Sequence, residues 1–178
     1  MADAALLEAI RTVLADSPFY GEGQAAVFVA VDHGSAECVG THASRCADRF
    51  EALEPVRQAM RERFGAFAKD IAVGPRLRHD HGSQYVSHHF RAEIRFLGIE
   101  GSPAFVREPE GNGCAERFIR TLKENLLWVR RFETVEELRL ALQASKETYN
   151  RTWIIERHGY RTPAQVRSDQ LNRVPMAA

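Results

Sequence analysis

Two carboxylates stand in settings suited to chemistry. Asp80 follows a short strand-like piece and sits in His79-Asp80-His81-Gly82-Ser83-Gln84-Tyr85. A carboxylate at a strand end beside a glycine is well presented to a metal or a ligand. Glu116 falls in the first turn of a helix that follows the loop Pro109-Glu110-Gly111-Asn112-Gly113. Arg120 and Lys123, one and two turns further on, share its face. One metal-binding carboxylate is thereby set beside two phosphate-binding cations. Each acid also has a purely structural explanation, since an acid at a helix N-terminus complements the macrodipole and Asp-His-Gly is common turn chemistry. It is their combination, with 35 residues between Asp80 and Glu116, that points to a site.

The elements that must position these residues are legible in part. Residues 4–15 have high helix propensity, with Leu7, Ile10 and Val13 or Leu14 on one stripe, and Asp16-Ser17-Pro18 ends that helix. The apolar, β-branched run Ala26 to Val31 predicts a buried strand, and residues 37–42 its antiparallel hairpin partner across Asp32-His33-Gly34-Ser35. Phe50, Leu53, Met60, Phe64 and Phe67 recur at helical spacing, with Pro55 marking the start of the regular helix. Leu77 marks a short strand; Phe90, Ile94 and Leu97 mark a helix closed by Gly98; residues 99–105 mark a further strand. A long helical run spans residues 115–127, and the capping box Thr134-Val135-Glu136-Glu137 opens another helix. Helices interleaved with strands make a mixed α/β domain.

Composition bounds the rest. The chain has 178 residues, 44% hydrophobic and 27% charged, which excludes disordered and low-complexity classes. The longest apolar run, Ala25 to Val31, is far short of a membrane span, and the N-terminus has no basic leader. Cys38, Cys46 and Cys114 form no CxxC pair, so a reduced cytoplasmic setting is expected. The formal net charge of zero hides an asymmetry: residues 1–50 sum to −4 and residues 117–167 to +5. Contact with an anionic partner falls to the C-terminal third. His79, His81, His88 and His89 lack zinc-ligand spacing, and no GxSxG elbow or Cys-His framework supports a hydrolase.

With these elements in place, His79 to Tyr85 and residues 110–124 (Glu-Gly-Asn-Gly-Cys-Ala-Glu-Arg-Phe-Ile-Arg-Thr-Leu-Lys-Glu) resemble the DDE transposases of insertion sequences and the retroviral-type integrases. The 35-residue gap is typical of that family, and Lys123, seven residues after Glu116, matches the basic residue of that helix. Tyr149-Asn150-Arg151 and residues 158–164 resemble the end of the same core, so the likeness spans about residues 25–167. It implies a ribonuclease-H-like α/β fold, a mixed five-stranded sheet flanked by helices, with three carboxylates holding two Mg2+ or Mn2+ ions. Asp80 and Glu116 would be two of the three, as catalytic and metal-binding residues. Arg117, Arg120 and Lys123 would contact the DNA backbone. The partners implied are transposon ends and target DNA, with homo-oligomerisation and no membrane.

The resemblance also predicts a defect. The family's first carboxylate lies on the first strand, some fifteen to twenty residues before the hairpin turn that here contains Asp32. The only acid in that window is Asp16, in the expected helix-ending turn. Asp32 and Asp16 are therefore weak stand-ins, and the first strand is expected to be missing, leaving an open sheet edge and marginal stability. The expected organisation is a helical remnant over residues 1–23, an integrase-type core over 24–167 and a tail over 168–178. Two functions follow: a DDE transposase core impaired in catalysis, or a non-catalytic, DNA-binding or degenerate transposase fragment.

Overall fold

The computed structural model describes residues 7–19, 23–79, 82–103 and 113–172. Five strands, β1 (Leu7–Phe19), β2 (Gly23–Asp32), β3 (Cys38–Ser44), β4 (Arg76–His79) and β5 (Glu100–Pro103), form one sheet in the order β3-β2-β1-β4-β5. β1 is antiparallel to β2, β2 to β3, while β1–β4 and β4–β5 are parallel. The helices are α1 (Glu54–Phe64, after a 3-10 turn), α2 (Ser83–Val86), α3 (His88–Phe96), α4 (Gly113–Leu122), α5 (Val135–Thr152) and α6 (Pro163–Asn172).

Two expectations are corrected here. The helix over residues 4–15 is replaced by a strand, and the first strand is present, formed by Leu7–Phe19 at the centre of the sheet. The physical reason is tertiary. β2 and β4 each present an unpaired ladder of N–H and C=O groups, and one extended segment between them satisfies both. Helix propensity differs by only tenths of a kcal/mol per residue and yields to that demand. Asp16, Ser17 and Pro18 fall where the β1–β2 register breaks, between Ala15 and Phe19, the place where a proline without an N–H is tolerated. Residues 7–19 are thus a strand of the sheet and not a helical remnant, and residues 168–172 continue α6.

Both faces of the sheet are covered, which explains why β2 reads as a continuous apolar run instead of an alternating one. Ala26, Phe28 and Ala30 face a core with Val56, Met60, Phe90 and Ile94 of α1 and α3. Their neighbours Ala25, Val27, Val29 and Val31 face a second core with Phe118, Leu122, Leu138 and Leu142, from α4 and α5. α1 lies close because Gly40 of β3 has no side chain: a Cβ there would sit 2.1 Å from the Pro55 carbonyl oxygen. The turn after α3 needs glycine for a different reason, Gly98 having a left-handed φ of 84°.

β3 is an edge strand, and side chains occupy its outward backbone groups. Asn150 of α5 accepts from Cys38 N–H at 2.9 Å and donates to Cys38 C=O at 2.8 Å. Gln58 of α1 accepts from Thr41 N–H at 3.0 Å, and Arg139 of α5 donates to Ala43 C=O at 2.8 Å. Helices on the two faces thus close the edge that would otherwise recruit another strand. α5 itself begins at Thr134, whose hydroxyl accepts from Glu137 N–H at 3.0 Å; Glu137 in turn accepts from Glu133 N–H at 2.9 Å, one residue earlier than the simplest capping box.

Candidate active site and nucleic-acid interface

α4 carries the expected functional helix. Ala115, Phe118, Ile119 and Leu122 are buried against the sheet, which turns Glu116, Arg117 and Arg120 outward. Glu116 stands in the first turn, as the sequence indicates. Arg120 is committed to an ion pair with Glu124 at 2.7 Å, one turn on. The side chains of Arg117 and Lys123 make no ion pair or hydrogen bond among the described residues. After Leu122 the helix widens into a π turn, Lys123–Leu127, closed by a bond from Trp128 N–H to Lys123 C=O at 2.9 Å. Trp128 is 63% exposed beyond that turn, while Trp153 stacks on Tyr149 at 6.0 Å.

Asp80 and His81 lie outside the described residues, directly after β4. The approach to Asp80 is nevertheless defined. His79 is buried and packed between Tyr85 and Phe90, at 5.7 and 5.8 Å between ring centroids, a core role and not a metal-ligating one. Among the described residues no group of three or more His, Cys, Asp or Glu side chains is placed to hold a metal ion.

The strand register locates the stand-ins for the first carboxylate. Ile10 of β1 pairs with His79, so Arg11 and Thr12 are the next residues beside the end of β4. The acids of β1 are Glu8, two residues before Ile10, and Asp16, six after it. At 3.3 Å per residue, Asp16 is about 20 Å along the strand from Ile10. Asp32 pairs with Leu7 at the far edge of β1, which puts its backbone roughly 14 Å from that of His79. It is 2% exposed and engaged by its own turn, accepting from Ser35 Oγ at 2.6 Å, Ser35 N–H at 3.3 Å and Gly34 N–H at 3.2 Å. Turn formation accounts for this carboxylate.

Residues that the sequence did not single out complete the surroundings of α4. Arg157, in the 3-10 turn Glu156–His158, donates to His33 C=O at 2.8 Å and contacts Cys114 Sγ at 3.3 Å. Burial raises the Cys114 thiol above its ordinary pKa, with Arg157 opposing. His33 and His158 are both held below the usual imidazole value, first by burial and then by the Arg157 charge. A run of Arg-His after a turn gave no signal that it would fold back onto another helix's first turn.

Sheet order and crossing helices are those of an integrase-type core fold. Residues 97–163 match the integrase core domain family, and the chain carries a DDE transposase/integrase-type core. Its curated relatives include the transposase InsD of insertion element IS2D and the InsD chain of insertion element IS2E, both from Escherichia coli strain K12. Each is 32% identical over 108 residues, 60% of this chain, covering 35% and 48% of the relative respectively. The chain thus spans about a third to a half of the length of the curated relatives it matches. Among solved structures, the catalytic core domain of BIV integrase aligns with TM-score 0.69 at 19% identity, over 96% of this chain and 97% of that one. The HTLV-2 integrase catalytic core domain, in complex with magnesium in a trimeric form, aligns with TM-score 0.62 at 15% identity, over 92% and 95%. These structural likenesses establish the ribonuclease-H-like fold. Among the described residues no helix is long and apolar enough to cross a membrane.

Proposed function

We propose that this chain is the core domain of a DDE transposase acting on DNA, and that it is impaired in strand transfer. The observation carrying the proposal is α4: an outward Glu116 in the first turn, followed by Arg117 and Lys123, whose side chains have no partners among the described residues, within the segment matching the integrase core. Free cations on the turns after a carboxylate suit a phosphate backbone approaching a hard-ion site. Asp80 and Glu116 are the residues that would hold Mg2+ or Mn2+. When bound, such ions activate a hydroxyl nucleophile and stabilise the leaving oxygen. The residues themselves orient the phosphodiester: Arg117 and Lys123 contact backbone oxygens, while Arg120, paired with Glu124, contributes less.

The impairment rests on β1. Neither stand-in for the first carboxylate reaches the end of β4, where Ile10 pairs with His79: Asp16 lies six residues further along β1, and Asp32 pairs with Leu7. Two like-charged ions held by two carboxylates are under-compensated. The chain would then bind DNA without joining it, in the cytoplasm, as a self-associating protein of the class. The test is a strand-transfer assay with Mg2+ or Mn2+ and matched transposon ends, beside a gel-shift titration. Retarded DNA without product is expected; product above a Glu116→Gln control overturns the impairment, and no DNA binding at low salt overturns the function.

A further inference from the structure

The turn that follows α5 brings a second guanidinium to the N-terminal end of α4. Arg157 spends Nη2 on His33 C=O and Cys114 Sγ, at 2.8 and 3.3 Å, leaving Nη1 and Nε without a partner among the described residues. Arg117, three residues along α4 from Cys114, is exposed and likewise uncommitted. Both arginines line a cavity of about 190 Å3 together with His33, Cys114 and Tyr149, and among the described residues no carboxylate lines it. At roughly 30 Å3 per water molecule, that volume admits a phosphate group.

Tyr149 is the second, independent sign of a ligand. It is 6% exposed, with its ring edge-on to Phe118 at 4.7 Å between centroids. Its hydroxyl makes no hydrogen bond among the described residues and lines the cavity, which leaves it available to a ligand. Burial, with Cys114 and Cys38 nearby, keeps that phenol protonated and so able to donate. Asp32, whose charge acts on the Cys114 thiol, is engaged by Ser35 and Gly34. Two guanidinium forks, the Tyr149 hydroxyl and the opening N–H groups of α4 form a donor set for phosphate oxygens.

We infer that this cavity is a phosphate site, in which Arg117, Arg157 and Tyr149 hold one backbone phosphate of DNA lying across the start of α4. The inference rests on the DNA-acting function proposed above and adds Arg157 and Tyr149 to the contact surface. It gives the chain an anchor for the duplex that is independent of the metal-binding acids.

Cys114 reports on the site directly, because its thiol lies in the cavity, whereas Cys46 is exposed elsewhere and Cys38 is buried. The intact chain is alkylated with iodoacetamide and the rate at each cysteine is followed by mass spectrometry, with a short DNA duplex, inorganic phosphate or chloride at matched ionic strength. A duplex at ten times its Kd is expected to slow Cys114 roughly tenfold and leave Cys46 unchanged. Inorganic phosphate, at a concentration above its own Kd, slows Cys114 while chloride does not. Arg117→Gln lowers the slope of log K against log salt by about one, and Tyr149→Phe weakens duplex binding at unchanged slope. DNA binding with Cys114 unprotected, or with both variants indistinguishable from the parent chain, overturns the inference while the DNA-acting function stands. Failure of the parent chain to bind any duplex removes that function instead, and inorganic phosphate then decides the cavity: no protection of Cys114 overturns the site as well.

Discussion

Removing the side chain of Asn150 tests how the sheet edge is held. Asn150 is 7% exposed and spans both backbone groups of Cys38, itself fully buried. Asn150→Ala leaves one N–H and one C=O buried without partners. Each unsatisfied group costs about 1–3 kcal/mol, so a loss of about 2–4 kcal/mol is expected, allowing for a water entering the vacated space. For a domain whose whole stability is about 5–15 kcal/mol, that is a large share. In urea unfolding, with a slope of about 2 kcal/mol per molar, the midpoint falls by about 1–2 M. Asn150→Asp separates hydrogen bonding from size. It keeps an acceptor for Cys38 N–H but faces a second oxygen towards Cys38 C=O, where Asn150 donates at 2.8 Å. At neutral pH it is expected to be at least as destabilising as alanine, and to recover below about pH 5 as the carboxyl gains a proton to donate. A loss under about 0.5 kcal/mol for alanine, or a fully stable aspartate variant at neutral pH, refutes the reasoning.

Three further outcomes follow from the packing and the charges. Gly40→Ala sets a Cβ 2.1 Å from the Pro55 carbonyl oxygen, a backbone atom that cannot rotate away, so a loss of at least about 2 kcal/mol is expected; Gly101→Ala, with nothing within 4 Å, serves as the control within about 0.5 kcal/mol. Lys146 is buried to 2% side-chain exposure with Glu62 as its ion-pair partner. Glu62→Gln is expected to cost about 1–3 kcal/mol and Lys146→Met to be neutral or stabilising, both read by urea melts. His33 and His158 have native pKa values below their ordinary 6.5, so the unfolded chain binds more protons below neutrality. Stability is therefore full above about pH 7 and falls as pH drops through 6.5 towards the lower native values, and His158→Gln flattens that slope in melts from about pH 7.5 to 5.5.

The sequence disclosed most where local chemistry and tertiary demand agree. Residues 26–31 are apolar on every position because both faces are covered, and the structure pairs them as the buried strand expected. Thr134 caps α5 and Gly98 ends α3 through backbone chemistry that needs no distant partner. Leu7–Phe19 was illegible for the opposite reason. Its alanines and leucines favour a helix locally, and only β4, some seventy residues on, makes the extended form worthwhile. Glu116 could be read from its place in a helix's first turn. Arg157 and Tyr149 could not be joined to it, because their approach depends on how α5 and the following turn cross the hairpin, and no spacing within the chain encodes that crossing.

The central position of β1 has a kinetic consequence. Its antiparallel partners are local, the meander of β1, β2 and β3 closing within Leu7–Ser44, whereas its parallel bonds wait for Arg76–His79. At about 5–20 residues per second, a ribosome completes β4 roughly 2–7 s after β3. During that interval the meander can form while the other flank of a thirteen-residue strand has nothing to bond. A newly made chain thus passes through a stage in which its future centre is an edge, and the side chains that guard β3 from α5 have not yet been synthesised. Nascent copies made close together on one message are exposed to mutual strand exchange at that stage, while a finished molecule has closed the same flank.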